Sequence, residues 1–273
     1  MRGPIFFVAF IGLCITAGSA RATDPQTDVL ARARQLQLEF RQGNPQVVDP
    51  LVASLETEVA RNPGNADLWE ALGNAYMSQQ GVLSQSQAQP RVLIGVGARA
   101  RNAYARALAL DKNNALLLAS HGMAGMLKSM LERDGAGLTD AIQEMNSAVQ
   151  RAPKSTLVRL TRGFTTIHLP GDVRDTAAVL EDLNFVLETA PGGRPEDVLH
   201  VLLGDVYVES GERDAARREY ELVTGASRFA AEQAQSRLSA LKSGLSVSPA
   251  AVAVVRTGLG YRCVMCHAPG TDN

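Results

Sequence analysis

Residues 62–76 read NPGNADLWEALGNAY. Trp69, Leu72, Gly73 and Tyr76 lie within it at helical spacing. The small residue at Gly73 would let a second helix approach the first one closely. The stretch therefore predicts the first helix of a helical hairpin.

The partner helix is predicted further along the chain. It carries small, aromatic and small residues at Ala100, Tyr104 and Ala107. An insertion from Gln79 to Val92 separates the two helices. Two roles stay open for this insertion, because it could cover a groove of the protein or form a polar surface loop.

The same pattern returns three times after this hairpin. Small residues at Gly122, Gly163 and Gly204 are spaced 41 residues apart and mark the first helix of each copy. The matching second helices carry Ala141, Met145 and Ala148, then Val179, Leu183 and Val186, then Ala216, Tyr220 and Val223. Such regular spacing indicates a repeat architecture.

Amphipathic segments flank the four copies. Residues 28–42 and 47–62 predict a degenerate leading pair, and residues 228–243 predict a single capping helix. Over residues 28–243 the chain resembles tetratricopeptide repeat proteins. The resemblance implies an all-α, helical-hairpin solenoid with a concave groove that binds a protein or peptide partner. It also implies recognition rather than catalysis, so we do not expect an enzyme.

The two middle copies are expected to line that groove with apolar side chains. The predicted partner-binding residues are Met123, Met126, Phe164, Ile167 and His168. Methionine suits an adaptable apolar surface because its side chain is flexible and polarisable. The alternative is that the phase of these two copies is off by one residue and that the side chains belong to the core.

The N-terminal residues predict a cleaved signal peptide. Arg2 gives a positive start, residues 5–17 are apolar, and the A-x-A signal at residues 20–22 precedes Thr23. The protein is therefore expected to be periplasmic or otherwise extracytoplasmic. The predicted organisation is a signal peptide over 1–22, a repeat domain over 23–243 and a C-terminal tail over 244–273.

Composition excludes two partner classes. No segment of the mature chain approaches the roughly twenty apolar residues of a membrane-spanning helix. The chain has 27 basic and 28 acidic side chains without basic blocks, which argues against a nucleic-acid partner.

The tail carries a C-x-x-C-H string, Cys263-Val264-Met265-Cys266-His267. Its two cysteines are the only ones that remain when Cys14 is removed with the signal peptide. This spacing is typical of c-type haem attachment, in which two thiols reach the porphyrin vinyl groups and the imidazole becomes the proximal iron ligand. The string predicts one covalent haem c, held by Cys263 and Cys266, with His267 on the iron.

Two other uses of the same residues stay open. Cys263 and Cys266 could form a disulfide or a redox-active pair, with His267 lowering a thiol pKa. The three residues could also hold zinc, which would need a fourth ligand from elsewhere. The tail ends at Asn273 without an obvious second iron ligand, so the repeat body, a partner or water would have to supply it. Candidates by residue type are His121, His168, Met123 and Met126.

The remaining charged segments suggest no catalytic site. Glu181-Asp182, residues 209–214 and residues 217–219 are interpreted as solvated helix faces and turns. The function predicted from the sequence is an exported adaptor that binds protein partners and carries haem in an electron-transfer or cytochrome-assembly system. A haem-free scaffold for a secretion, transport or envelope-assembly complex is the alternative, and a thiol-disulfide oxidoreductase is a third.

Overall fold

The computed structural model describes residues 30–35, 45–189 and 194–244, and these residues form an all-α protein without strands. The predicted fold class of helical hairpins is therefore confirmed. Residues 30–35 are helical, and a short 3-10 turn at Pro45–Val47 leads into the first long helix. The helices are α1 Val48–Arg61, α2 Ala66–Gln85, α3 Pro90–Leu110, α4 Ala115–Glu132, α5 Gly135–Arg151, α6 Thr156–Thr166, α7 Thr176–Thr189, α8 Arg194–Glu209, α9 Arg213–Glu221 and α10 Arg228–Lys242.

Polar N-caps start many of these helices. The side chain of Asn65 accepts a hydrogen bond from the backbone N–H of Leu68, and Asn114 accepts from two N–H groups at the start of α4. Asp134, Ser155 and Ser227 begin α5, α6 and α10 in the same way. Each cap satisfies a backbone N–H that has no partner within the helix, and one cap stabilises its helix by about 1 kcal/mol.

The chain divides into two compact units, the first ending at Pro153 and the second beginning at Lys154. The first unit contains two hairpins, which we call hairpin 1 (α2–α3) and hairpin 2 (α4–α5), preceded by α1. The second unit contains hairpin 3 (α6–α7) and hairpin 4 (α8–α9), followed by α10. The helix predicted over residues 228–243 is confirmed as α10, which packs against α8 and α9.

Glycines hold the two helices of hairpins 1 and 2 close together. A Cβ atom added at Gly73 would lie 2.6 Å from Cε1 of Tyr104. One added at Gly122 would lie 2.9 Å from the carbonyl oxygen of Ala141 and 2.9 Å from Cγ of Met145. Real Cβ atoms do not approach other heavy atoms this closely, so these positions require glycine.

Hairpins 3 and 4 use the same contact. A Cβ atom added at Gly163 would lie 3.0 Å from Cβ of Asp182, and one added at Gly204 would collide with the ring of Tyr220. All four predicted glycines thus face the second helix of their own hairpin. This confirms the repeat phase that was read from the sequence.

The predicted insertion from Gln79 to Val92 is not a loop. Helix α2 continues to Gln85 and α3 begins at Pro90, so only four residues, 86–89, connect them. The Gln80 side chain donates a hydrogen bond to the carbonyl of Leu93 at 3.0 Å, which ties the two extensions together. The additional residues therefore lengthen both helices of hairpin 1. The sequence predicts the excess length in the connection, whereas the structure shows it in the helices.

Within the described residues, none of the helices is long and apolar enough to cross a membrane.

Candidate functional site

The predicted haem-attachment residues, Cys263, Cys266 and His267, lie outside the described residues. The described part of the chain ends at Gly244, so residues 245–262 separate it from the first motif cysteine. The predicted signal peptide over 1–22 lies outside the described residues as well.

The predicted partner-binding residues lie on α4 and on α6 and the turn that follows it. Met123, Met126, Phe164 and Ile167 are at most 2% exposed, and His168 is half-buried. A partner in a groove would need to reach these side chains from solvent. Their burial favours a place in the core, although the glycine contacts show that the repeat phase is not shifted by one residue.

Residues on the first helices of hairpins 1 and 4 are also buried. In hairpin 1, Asn74, Met77 and Ser78 are buried, and in hairpin 4, Val198, Val201 and Asp205 are buried. Most of the surface of these first helices is therefore covered by neighbouring parts of the protein. Exposed apolar side chains lie elsewhere, at Val92, Leu110, Met130 and Leu131 in the first unit and at Val173, Leu222 and Phe229 in the second.

A polar cluster that is not evident from the sequence joins α3 of hairpin 1 to both helices of hairpin 2. Arg101 Nε donates to His121 Nε2 at 3.3 Å, and His121 Nδ1 lies 2.8 Å from Glu144 Oε2. Arg101 also bonds Glu144 directly at 3.1 Å. Since Nε2 accepts from Arg101, the proton of a neutral His121 lies on Nδ1 and is donated to Glu144. Burial opposes ionisation here, but His121 and Arg101 together hold the pKa of Glu144 below its ordinary value.

Hairpin 3 places two arginines on one buried acid. Arg162 donates to both carboxylate oxygens of Asp182, at 2.6 and 2.9 Å, and Arg159 donates at 3.1 Å. Asp182 has no exposed surface, so its interpretation as part of a solvated face is wrong. Burial raises the pKa of Asp182, and the two guanidinium groups oppose that shift.

Hairpin 4 holds a third contact of this kind. His200 Nδ1 lies 2.9 Å from Glu219 Oε2, and the His200 side chain is 10% exposed. Next to it, Arg237 of α10 bonds Asp205 at 2.6 Å, and Tyr220 donates to the same carboxylate at 2.7 Å. The sequence analysis had placed Glu219 on a solvated face, and this too is wrong.

The acids of these three contacts share one sequence position. Glu144, Asp182 and Glu219 directly precede the large side chain that packs on the hairpin glycine. Within each hairpin the basic partners lie on the first helix, either directly before that glycine or four residues before it. Glu144 has a further partner, Arg101, on α3 of hairpin 1. Aligning the copies would have revealed the charge pattern within the hairpins. The contacts at this shared position join the two helices of a hairpin.

One carboxyl group has a strongly raised pKa. Burial, with the nearby charges of Asp67 and Asp111, raises the pKa of Glu70 on α2 to about 7. A cavity of about 460 Å³ lies at the turn that precedes α2. Its lining residues are Asn62, Gly64, Asn65, Ala66 and Asp67. These lining residues include neither a nucleophile nor a paired acid and base, so they do not indicate a catalytic site.

Within the described residues, His, Cys, Asp and Glu side chains form no group of three that could hold a metal ion. No protein-family model matches the chain, and no curated protein is significantly similar to it. The functional argument therefore depends on the chain's own residues.

Proposed function

We propose that this protein is an extracytoplasmic helical-repeat adaptor that carries one covalently attached haem. In this proposal Cys263 and Cys266 form the two thioether bonds, and His267 is the proximal iron ligand. The observation that carries the proposal is the C-x-x-C-H string itself, whose two cysteines are the only ones outside the predicted signal peptide.

The donor set fits haem c by its chemistry. Two thiols three residues apart suit the two vinyl groups, and the adjacent imidazole is the commonest proximal ligand. The predicted signal peptide supports the same use, because it would deliver these thiols to an extracytoplasmic compartment. When bound, haem would supply a one-electron carrier to the proteins held by the adaptor.

The adaptor role is supported by the helical hairpins and by their exposed apolar side chains. Hairpin arrays commonly recognise other proteins, and the resemblance to tetratricopeptide repeats implies the same use here. Because Met123, Met126, Phe164 and Ile167 are buried, we place the partner contact on exposed side chains instead. The apolar candidates in the first unit, each at least 37% exposed, are Val92 and Leu110 on α3 and Met130 and Leu131 on α4.

The test is production of the full chain together with cytochrome c maturation proteins, followed by intact mass and visible absorption. We expect a mass increment of one haem and a Soret band. Cys266→Ala and His267→Ala should lose or alter the haem spectrum while the helical circular dichroism of the body stays unchanged. Met265→Leu is the matched control, since it changes the same segment but removes neither a thiol nor the imidazole.

A normal yield of protein without the haem mass and without a Soret band would overturn the haem assignment. The haem-free scaffold would then take its place. Covalent haem that persists in Cys266→Ala through both vinyl groups would show that the thioether assignment is wrong.

A further inference from the structure

The exposed side of α3 carries arginines and no acids. The helix contains four arginines, but neither aspartate nor glutamate. Arg91, Arg99 and Arg106 lie eight and seven residues apart, so a helix of 3.6 residues per turn places them on one face, which we call the arginine face. All three are exposed, and at a rise of 1.5 Å per residue the arginine face is about 22 Å long. The fourth arginine, Arg101, belongs to the polar cluster described above.

The arginine face has charge available for a partner. In the part of the chain that the structure describes, the side chains of Arg91 and Arg106 form no ion pair or hydrogen bond. Arg99 is held in place, with Cζ 4.7 Å from the centre of the Tyr76 ring and Nη1 3.6 Å from Glu56, but its side chain is still 49% exposed. An arginine fixed in this way loses little rotamer freedom when a carboxylate binds it.

Two residues of this surface are unfavourable for the helix itself. Arg91 lies in the first turn of α3, which contains no acid, and a cation there opposes the positive end of the helix dipole. Gly95 lies one turn further along, and glycine is among the least favourable residues inside a helix. A Cβ atom added at Gly95 would meet nothing within 4 Å, so packing within the chain does not require this glycine. Such conflicts between a residue and its local structure are expected at functional sites.

The shape of this surface indicates what it binds. Gly95 is exposed and leaves a gap between Arg91 and Arg99, each four residues away. Because glycine has no Cβ, the backbone of a partner can approach the helix closely there. The guanidinium groups on either side of the gap can each pair with a carboxylate. Val92 and Leu110, which are 41% and 47% exposed, lie near the two ends of α3 and offer apolar contacts to the same partner.

From these observations we infer that the arginine face of α3 is a docking surface for an acidic segment of a partner protein, in which carboxylates are interspersed with apolar side chains. An anionic lipid surface would also attract the arginines. However, a helix that lies on a membrane presents a broad apolar face, and the single aromatic residue of α3, Tyr104, is buried. The inference rests on the adaptor part of the proposed function and adds the chemistry of the partner. It does not depend on the haem.

The experiment measures binding of the full chain to a labelled peptide of glutamate and leucine, by fluorescence anisotropy. A labelled peptide of lysine and leucine is the control. We expect the acidic peptide alone to bind, and sodium chloride should weaken this binding because salt screens contacts between exposed charges. Replacing Arg91 and Arg106 together by glutamine should weaken binding by about tenfold. The matched control replaces Lys154 and Lys242 by glutamine, since both lysines are exposed and the same charge is removed.

Gly95→Gln separates a binding role from a structural one. Glutamine fills the gap between the two arginines without adding charge, so the acidic peptide should bind more weakly. The free energy of unfolding should stay equal or rise, because glutamine is the better helix former. A variant that binds the peptide as wild type does would contradict the close approach at Gly95.

Four results would overturn the inference as a whole. Two of them are failure of the acidic peptide to bind and equal weakening by the arginine and lysine double variants, which would show attraction by net charge alone. A third is stronger binding to phosphatidylglycerol vesicles than to the peptide, lost when Arg91 and Arg106 are replaced, which would assign the surface to a membrane. The fourth is self-association that the same double variant abolishes, which would assign it to a second copy of the chain. The haem assignment is tested separately by mass and Soret band, so either proposal can fail while the other stands.

Discussion

Hairpin 1 and hairpin 4 share a contact between a glycine and a tyrosine, but they surround that contact with different charges. In hairpin 1, Tyr104 packs on Gly73 and donates its hydroxyl hydrogen to Asn74 Oδ1 at 2.7 Å. The acceptor is a neutral amide, and burial raises the pKa of Tyr104 well above its ordinary value. The phenol is therefore a neutral donor within a neutral pair.

In hairpin 4, Tyr220 packs on Gly204 and donates to Asp205 at the same distance, 2.7 Å. Asp205 has no exposed surface, and its charge is matched by Arg237 from α10 at 2.6 Å. Burial and the Asp205 carboxylate raise the pKa of Tyr220. The same hairpin contact thus also attaches the capping helix.

The comparison shows that the glycine and the residue after it have separate roles in a hairpin. The glycine and the aromatic ring set the distance between the helices of a hairpin in both cases. The residue after the glycine decides whether a further helix is attached through charge, as Asp205 does for α10 and Asn74 does not. Swapping that residue, or removing its partner, should therefore affect hairpin 4 more than hairpin 1.

The largest effect is expected when Arg237 is replaced by methionine. This change leaves the Asp205 carboxylate buried without its cation, and breaking a buried pair in this way costs about 3–5 kcal/mol. Urea unfolding should show the loss, and hydrogen exchange should show faster exchange of the α10 amides. Arg228→Met on the same helix is the control, since the Arg228 side chain is 94% exposed and should change stability little.

Adding Asp205→Asn to Arg237→Met tests the cause of that loss. The double variant recreates the neutral pair of hairpin 1, so most of the stability should return. If the double variant is as unstable as Arg237→Met alone, the loss comes from packing of the arginine stem, and the contrast between the two hairpins is wrong.

The glycine contacts should give the next largest effect. Gly73→Ala and Gly204→Ala each place a methyl group against a buried tyrosine ring, and such overpacking costs about 1–3 kcal/mol. Gly95→Ala is the matched control within α3, because nothing lies within 4 Å of its added Cβ. That control should gain up to about 1 kcal/mol from helix propensity. Equal stability of the three variants would contradict the shared contact.

The sequence was sufficient to predict this repeat phase. A small residue at a fixed position, followed by a large side chain such as Tyr104 or Tyr220, is visible without coordinates because the packing depends on residue size. The length of α2 and α3 was not predictable in this way. Polar residues such as Gln80 indicate a loop as readily as a helix, and their hydrogen bonds across the hairpin appear only in three dimensions.

The buried charges were missed for a related reason. Asp182 and Glu219 occur in charged segments that resemble solvated helix faces, and a sequence does not show which acid faces a base on the other helix. The candidate haem segment depends on a different kind of signal, since Cys263, Cys266 and His267 are recognisable by spacing alone. Their use in haem attachment stays a prediction.

Glu70 gives a pH-dependent test of the difference between hairpins 1 and 4, because the equivalent residue of hairpin 4 is the buried Val201. The pKa of Glu70 is raised to about 7 from an ordinary value of 4.5. Between these values the unfolded chain loses the proton while the folded chain keeps it, so stability falls as pH rises from about 4.5 to about 7. Glu70→Gln should remove this decline and stabilise the protein at neutral pH by about 1–2 kcal/mol.

Unfolding free energies measured at several pH values across this window would test the Glu70 effect. Asp140→Asn is the control, since it removes an exposed acid from α5 of the same unit. A wild-type stability that does not fall across the window, or a Glu70→Gln variant that keeps the full decline, would contradict the assignment.

The smallest expected effect is the difference between two hydroxyl deletions. Tyr104→Phe removes a donor from the neutral Asn74, which costs about 0.5–1.5 kcal/mol, whereas Tyr220→Phe removes one from a buried carboxylate, where the usual cost is about 1.5–3 kcal/mol. Because Arg237 still bonds Asp205 after the second change, we expect the costs to differ by only about 1 kcal/mol. Parallel urea titrations of the two variants measure this difference, and repeating them in the Asp205→Asn background should abolish it. If Tyr104→Phe proves the more costly of the two, the charge on Asp205 does not strengthen the tyrosine contact, and the electrostatic distinction between hairpins 1 and 4 fails.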